Sequence, residues 1–374
     1  MDKKPISPLE SVLVTCPACG KGNLEQRLSP QAYRVTASDT DFCPAERIWL
    51  HPQTNGLTPL AYFMQTCPNC YFTTESRDAL FHSKPHLVEK DPQLTIQIQR
   101  HQEQLEMPDS PLSKLAQAYH RCHHSFCRVV LKFLLGICDE KLKDHYSNYN
   151  LARYYLRLAW VFRERTQLEN PEAGLRLPQI KDKLDKQSEE HRKYLGEVEQ
   201  LSELLDRDFL TLSGPEGDQK EGYSYQDILD SLQSNSIGTK KRGASSEREP
   251  DFLPGNVNLS TFLLELRSVW TGVPLNETEA LKFALSYYHQ YFQTLPQKAY
   301  SSSQVQTAYL IGELFRRTGE YSQSQKFFSL AISIGEKSLR QEKETYRSAF
   351  AQKIIFLATR QQNLAERQQL GQAL

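Results

Sequence analysis

No sign of charge dominates this sequence. Its 374 residues carry 45 Lys and Arg against 45 Asp and Glu. That balance excludes a globally basic nucleic-acid binder and a polybasic membrane binder. Long apolar runs are lacking as well. The longest, around Val129 to Ile137, is interrupted by Lys132 and is far too short to cross a bilayer. The first ten residues hold charge, Pro5 and Pro8 instead of an apolar stretch. No targeting segment is therefore expected, and the expected location is the cytoplasm. Apolar side chains are scarce, at 39% of residues, and mean hydropathy is −0.59. A chain this polar does not build one core throughout, so part of its length is expected as linker or exposed helix. Signatures of catalysis are missing too. There is no Gly-rich phosphate loop ending in Gly-Lys-Ser/Thr, no Gly-x-Ser-x-Gly elbow and no His-Glu-x-x-His. No enzyme is expected.

What is present begins with eight cysteines, four of them in two near-copies: Cys16-Pro17-Ala18-Cys19-Gly20 and Cys67-Pro68-Asn69-Cys70-Tyr71. In a large chain without a signal peptide, such pairs mean metal binding or redox chemistry and not a disulfide framework. A Cys-x-x-Cys turn aims two sulfurs at one point, and two such turns complete a tetrahedral S₄ shell suited to Zn²⁺. Cys16, Cys19, Cys67 and Cys70 are the expected ligands of one structural zinc ion. Forty-seven residues separate Cys19 from Cys67. Closing that loop costs roughly 3–4 kcal/mol plus a constant, against about 10–16 kcal/mol from structural zinc in finger peptides, so the metal prevails. Four cysteine ligands leave no position for a substrate water. The redox alternative expects a single pair at a helix start, which makes it the weaker reading of two matched pairs. Tyr71 stands where the first turn has Gly20, so that turn must do without glycine's freedom.

Cys43, in Asp39-Thr40-Asp41-Phe42-Cys43-Pro44, reads as a small buried hydrophobe, with an extra metal ligand or a reactive thiol as alternatives. Asp39 and Asp41 are expected to cap a turn, with orienting a basic group of a partner as the alternative. His120, Cys122, His123, His124 and Cys127 would share helix faces, His120 and His124 on one with Cys127 a turn further. A second metal site is the sharper reading of that cluster. The apolar neighbours Phe126, Val129, Val130 and Phe133 favour an ordinary packed helix.

The fold class expected is mainly α: a small β-rich zinc-ribbon-like module, then a tetratricopeptide-like helical region with a long disordered insertion. Residues 1–10 are expected as a flexible terminus, 11–110 as the zinc module and its connection, and 111–211 as the first helical part. Residues 212–257, rich in Gly, Ser, Pro and charge, are expected as linker, and 258–374 as the second helical part. Val12–Val14 and Ala61–Met64 are expected as strands leading into the cysteine turns. A helix is expected over Asn150 to Arg165, facing inward through Leu151, Tyr154, Tyr155, Leu158, Ala159 and Phe162. Ile180 to Leu205 is expected as a long, partly exposed helix. Asn276 with Glu279 makes a capping box ahead of Ala280 to Phe292. From Val305 to Ser338, Ala308, Ile311, Gly312, Phe315, Gly319, Tyr321, Phe328 and Ala331 fall at tetratricopeptide offsets. Ser324 departs from the usual Ala and Glu336 from the usual Pro. Glu342 to Gln368 is the expected capping helix.

In their order, the two cysteine turns, the Asp39–Cys43 motif and Tyr62 ahead of the second turn resemble the uncharacterised bacterial family known as domain of unknown function 2225. The resemblance covers residues 11 to 165 closely and the remainder loosely. It implies a bacterial cytosolic protein with a ribbon-like zinc module ahead of tetratricopeptide-like helices, and it brings no catalytic residues. Thr211 to Val257 looks like an insertion of this branch. The function expected is that of a non-enzymatic adaptor, whose helical repeats meet a protein or peptide partner. Zinc-ribbon nucleic-acid binding and thiol redox are the alternatives. Residues 1–80 hold seven Lys and Arg against eight Asp and Glu, which disfavours a phosphate-tracking surface. No membrane partner is expected.

Overall fold

In the computed structural model, residues 8–29, 32–50, 58–76, 92–169, 259–296, 300–341 and 345–371 are described. The chain opens with three antiparallel two-stranded ribbons: β1 (Leu9–Thr15) with β2 (Gly22–Leu28), β3 (Tyr33–Ser38) with β4 (Pro44–Trp49), and β5 (Met64–Thr66) with β6 (Thr73–Glu75). Helices follow: α1 (Pro92–Glu106), α2 (Pro111–Arg121), α3 (Ser125–Lys141), α4 (Asn148–Glu169), α5 (Leu259–Val269), α6 (Glu277–Thr294), α7 (Ser302–Arg317), α8 (Tyr321–Gln341) and α9 (Thr345–Gln369). The class is the expected one, mainly α behind a small β-rich region. The helix expected over Ile180–Leu205 and the linker expected at 212–257 lie outside the described residues.

Several elements differ locally from expectation. The second cysteine turn is not entered by a strand over Ala61–Met64. Pro59–Tyr62 forms a 3₁₀ turn, with Pro at its start and the Thr58 hydroxyl capping Leu60 N, and the strand begins only at Met64. Proline's fixed φ suits a helical first turn better than a paired strand. Helix α1 lies twenty residues before the first expected helix. Its buried face is Leu94, Gln97 and His101, and two polar residues out of three hide the hydrophobic period.

The apolar run in α3 is enclosed on every side: Val130, Leu131, Phe133, Leu134, Leu135 and Ile137 are all fully buried. That is how a helix apolar all round avoids water without a membrane. Lys132 directs its Nζ to the Ala61 carbonyl at 3.4 Å, and burial holds its pKa below the ordinary value. At Gly136 the helix crosses the β5–β6 ribbon so closely that a Cβ would lie 2.0 Å from Met64 Cε. Helix α4 buries all six residues expected on its inner face.

The cap of α6 is half as expected. Asn276 accepts from Glu279 N at 2.9 Å, but the Glu279 carboxylate takes the amide of Leu275, one residue earlier than a capping box requires, and pairs with Arg267. A full box stands instead at α7, where Ser301 and Gln304 cap each other's amides.

Helices α7 and α8 form an antiparallel hairpin turned at Gly319, whose φ of +86° places it in the left-handed region. At Gly312 a Cβ would stand 2.8 Å from the buried Phe328 ring. Gly312→Leu must push the two helices apart, and a loss of about 1–3 kcal/mol is expected, read as the shift in a urea unfolding midpoint. An unchanged midpoint would refute the close approach. Ser324, fully buried in α8, has no hydrogen-bond partner for its hydroxyl among the described residues. Because an unmet buried hydroxyl is costly, Ser324→Ala is expected to stabilise by about 1 kcal/mol in the same assay.

Candidate metal centre

The two cysteine turns are near-identical hairpin tips. In the first, between β1 and β2, Cys16 N donates to Lys21 O at 3.0 Å and Gly20 N to Cys16 O at 2.9 Å. In the second, between β5 and β6, Cys67 N donates to Phe72 O and Tyr71 N to Cys67 O, both at 2.9 Å. Gly20 has φ +67° and Tyr71 has φ +65°. Tyr71 therefore adopts the glycine conformation, at a cost of roughly 1–2 kcal/mol for an L side chain. Its ring compensates by packing edge-on against Tyr119 and His120, with its hydroxyl 3.2 Å from His120 Nδ1.

These tips bring Cys16, Cys19, Cys67 and Cys70 together, their four sulfurs all within 4.8 Å of one another. Across the tips, Cys16 and Cys70 are 3.5 Å apart and Cys19 and Cys67 3.7 Å. A tetrahedron with Zn–S near 2.3 Å has edges of about 3.8 Å, so the donor set fits a zinc-sized ion. Thiols this crowded cannot all ionise alone. Cys67, accepting from Cys16 and Cys70, has its pKa pulled down. Hydrogen bonding with Cys67, and then burial, push Cys16 up to about 12. Cys70 is raised by its bonds to Cys16 and Cys67. A divalent cation would relieve that repulsion and let all four bind as thiolates.

A polar collar surrounds the sulfurs, and the sequence alone did not reveal it. Asn23 Nδ2 lies 3.5 Å from Cys67 Sγ, while Asn69 donates to Asn23 Oδ1 at 2.8 Å. The buried His101 links the second tip to the helices: Nε2 meets the Cys70 carbonyl at 2.8 Å and Nδ1 meets Asp139 Oδ1 at 2.6 Å. Asp139 also accepts from Thr73 N at 2.7 Å. Burial alone would lower the His101 pKa, but the Asp139 charge and hydrogen bond outweigh it and the net direction is upward. The only local signal was Gln97 and His101 one turn apart on α1, and their partner Asp139 is 38 residues from His101.

Cys43 stands apart from the four. It is 4% exposed, and burial, then the Asp41 charge, raise its thiol to about 12. That is the buried-hydrophobe environment and not one of a reactive thiolate. Cys43→Ser is expected to leave the metal content of purified protein unchanged; a halving of zinc would make it a ligand.

The basic groups oriented by Asp39 and Asp41 come from this chain. Phe42, with φ +65°, tightens the β3–β4 loop and drives it between α4 and α7. Asp41 is fully buried and accepts from Arg163 at 2.8 and 3.1 Å, from Trp160 Nε1 at 3.1 Å and from Cys43 N at 3.2 Å. Asp39 takes Arg317 at 2.9 Å and Arg163 at 3.3 Å. Burial would raise both carboxyls. Arg317 and Arg163 overcome it, holding Asp39 at about 2 and Asp41 below its ordinary value. Tyr309 of α7 closes the fastening by donating to Thr40 O at 2.8 Å.

The His/Cys cluster is not one helix face. Helix α2 ends at Arg121 and α3 starts at Ser125, capped by the His124 ring. His120 therefore turns to Tyr71 while His124 points its Nδ1 to Cys127 N at 3.4 Å. Among the described residues, the four-cysteine group is the one set of three or more such side chains at metal-binding distance. No helix among them is long and apolar enough to cross a membrane.

The family model described as "Uncharacterized protein conserved in bacteria (DUF2225)" matches residues 10–195 and 271–352. Both cysteine turns, the Asp39–Cys43 loop and the α7–α8 hairpin fall inside the matched segments. No curated protein and no solved structure matches.

Proposed function

We propose that this chain, which belongs to the DUF2225 family of bacterial proteins, is a zinc-stabilised adaptor in which Cys16, Cys19, Cys67 and Cys70 hold one structural Zn²⁺ and the C-terminal helices receive a protein or peptide partner. The observation that carries the zinc part is the convergence of four thiols from two matched hairpin tips. With all four positions filled by sulfur, the ion would have no site for a water nucleophile, and its work is to hold the two tips together. Both pairs sit in strand-to-strand turns, whereas a thioredoxin-like dithiol opens a helix, which favours metal over redox.

The adaptor part rests on the hairpin of α7 and α8, whose Gly312, Gly319 and Phe328 serve the roles these offsets have in tetratricopeptide units. It rests also on large apolar side chains left in solvent on the last helices: Leu330 is 37% exposed and Phe356 65%. Such side chains on repeat-like helices suit a partner surface. Zinc-ribbon nucleic-acid binding gains no support from the charge balance of residues 1–80. The test immobilises the full chain and a Phe356→Asp variant of equal zinc content and melting temperature, and identifies what each retains from a bacterial extract. A polypeptide held by the parent and lost by the variant supports the adaptor. Equal retention by both, or nucleic acid alone, overturns it.

A further inference from the structure

We propose that helix α1 regulates the metal site from outside the sulfur shell: it fixes the second cysteine of each turn, so that the ion and the seating of α1 on α3 stabilise each other. The inference rests on the four-cysteine reading above. The first cysteine of each turn, Cys16 or Cys67, is at most 1% exposed, and its own ribbon holds it through the amide bonds at the hairpin tip. Cys19 and Cys70 are half-buried, and α1 takes the carbonyls beside them. Gln102 Nε2 donates to Ala18 O, in the peptide that carries Cys19 N, at 3.1 Å. His101 Nε2 donates to Cys70 O at 2.8 Å. Two consecutive residues of one helix thus reach both turns.

The same helix is fastened to the helical body. Gln97 donates to Asp139 O at 2.7 Å, Arg100 to Leu142 O at 3.0 Å, and His101 Nδ1 meets the Asp139 carboxylate at 2.6 Å. Leu94 and Ile98 pack with Val14, Cys16, Cys67 and Phe72, and the Phe72 ring stands edge-on to His101 at 5.3 Å. Forty-seven residues lie between the turns, so chain connection alone does little to place one tip against the other. Asn69 with Asn23 and Arg27 with Gln65 tie the ribbons to each other, and α1 ties both to α3. Donors already in place bind an ion more tightly, because less ordering is charged against the binding. Linkage makes the effect reciprocal: what α1 adds to the hold on the ion, the ion adds to α1. His101 is fully buried and Gln102 exposed, so His101 carries the larger share. Both act through backbone carbonyls and are positioning residues.

The test strips the full chain of metal under reducing conditions and titrates it with Co²⁺ against a competing chelator, reading the thiolate charge-transfer and d–d bands. His101→Ala is expected to bind Co²⁺ about 10–100-fold more weakly, the scale of a lost outer-shell partner, with the parent's spectrum at saturation. Gln102→Ala should lose less than about tenfold, the scale of one exposed hydrogen bond. His101→Gln, which keeps a donor for the Cys70 carbonyl, should recover part of the affinity. Gly312→Leu, which loosens only the α7–α8 hairpin, should bind as the parent does. A parent without the four-thiolate spectrum overturns the metal reading and this proposal with it. A parent that shows the spectrum, beside a His101→Ala variant of equal affinity, overturns the coupling alone. A changed spectrum at saturation in His101→Ala would mean a lost ligand and not a lost position, and overturns it too. The converse is read in the parent and needs no variant to fold: Co²⁺ should slow amide exchange in residues 92–106, and exchange indifferent to the metal is equally fatal.

Discussion

Purified parent is expected to carry about one zinc ion per chain, and Cys67→Ser should release it and melt the cysteine module while the helices persist. The reason is the size of the module's own core. Around the sulfurs it consists of Val14, Ala18, Phe72 and Leu94 beside Cys16 and Cys67, too few apolar side chains to order two hairpins alone. Structural zinc supplies about 10–16 kcal/mol in finger peptides, and losing one of four ligands forfeits most of it. The principal helical core draws on α2 to α7 and does not depend on the ion. Helix α1 is the exception, since Leu94 packs in the module and His101 holds the Cys70 carbonyl. Amide exchange should therefore quicken in residues 9–28, 64–75 and 92–106 and stay slow in α3 and α4, with far-ultraviolet circular dichroism little altered. Unchanged zinc by metal analysis would refute the four-cysteine shell. Collapse of the whole helical signal would refute the independence of the helical core.

Asp41→Asn should cost about 3–5 kcal/mol, because it neutralises the fully buried carboxylate that Arg163 holds at 2.8 and 3.1 Å and that lies beside Arg317. The acid limb of stability follows from the same carboxylates. Their native pKa values lie below the ordinary 3.8, Asp39 at about 2, so between these values the unfolded chain binds more protons than the native one. The contribution is complete above about pH 4 and is lost as pH falls towards 2. Urea unfolding of parent and Asp39→Asn/Asp41→Asn protein at pH 6, 4 and 3 measures it. The parent's advantage should shrink as pH falls. An advantage independent of pH would mean that the pairs with Arg163 and Arg317 are not what holds the loop.

The Asp39–Cys43 motif also shows where reading the sequence stops. That Asp39 and Asp41 would cap a turn could be anticipated from the residues, and basic groups for them to orient were the alternative. That those groups are Arg163 and Arg317 could not, because they lie 122 and 276 positions from Asp41 and no local period connects them. The cysteine turns were legible because a Cys-x-x-Cys spacing is local chemistry. The Gly312 and Gly319 positions were legible because a helical hairpin repeats its demands at fixed offsets. Helix α1 was not, since Gln97 and His101 take buried positions that hydrophobicity assigns to apolar residues. The continuous helix read through His120 to Cys127 failed at its break, where the cap is a histidine ring and not one of the usual Ser, Thr, Asp or Asn signals.

The β3–β4 loop imposes an order on the making of the protein. Its anchors Arg317 and Tyr309 are synthesised some 270 residues after Thr40. At about 5–20 residues per second, Asp39 and Asp41 wait tens of seconds for Arg317, although their partner Arg163 on α4 is made well before. The cysteine tips need no such wait, since all four sulfurs are available once residue 70 has emerged. A metal bound by these tips can thus be taken up early, while the loop is fastened late. Contacts of such long sequence separation are slow to form and slow to re-form. Refolding from denaturant, where both events begin together, should therefore be rate-limited by the closing of the loop on Arg317 and not by the metal.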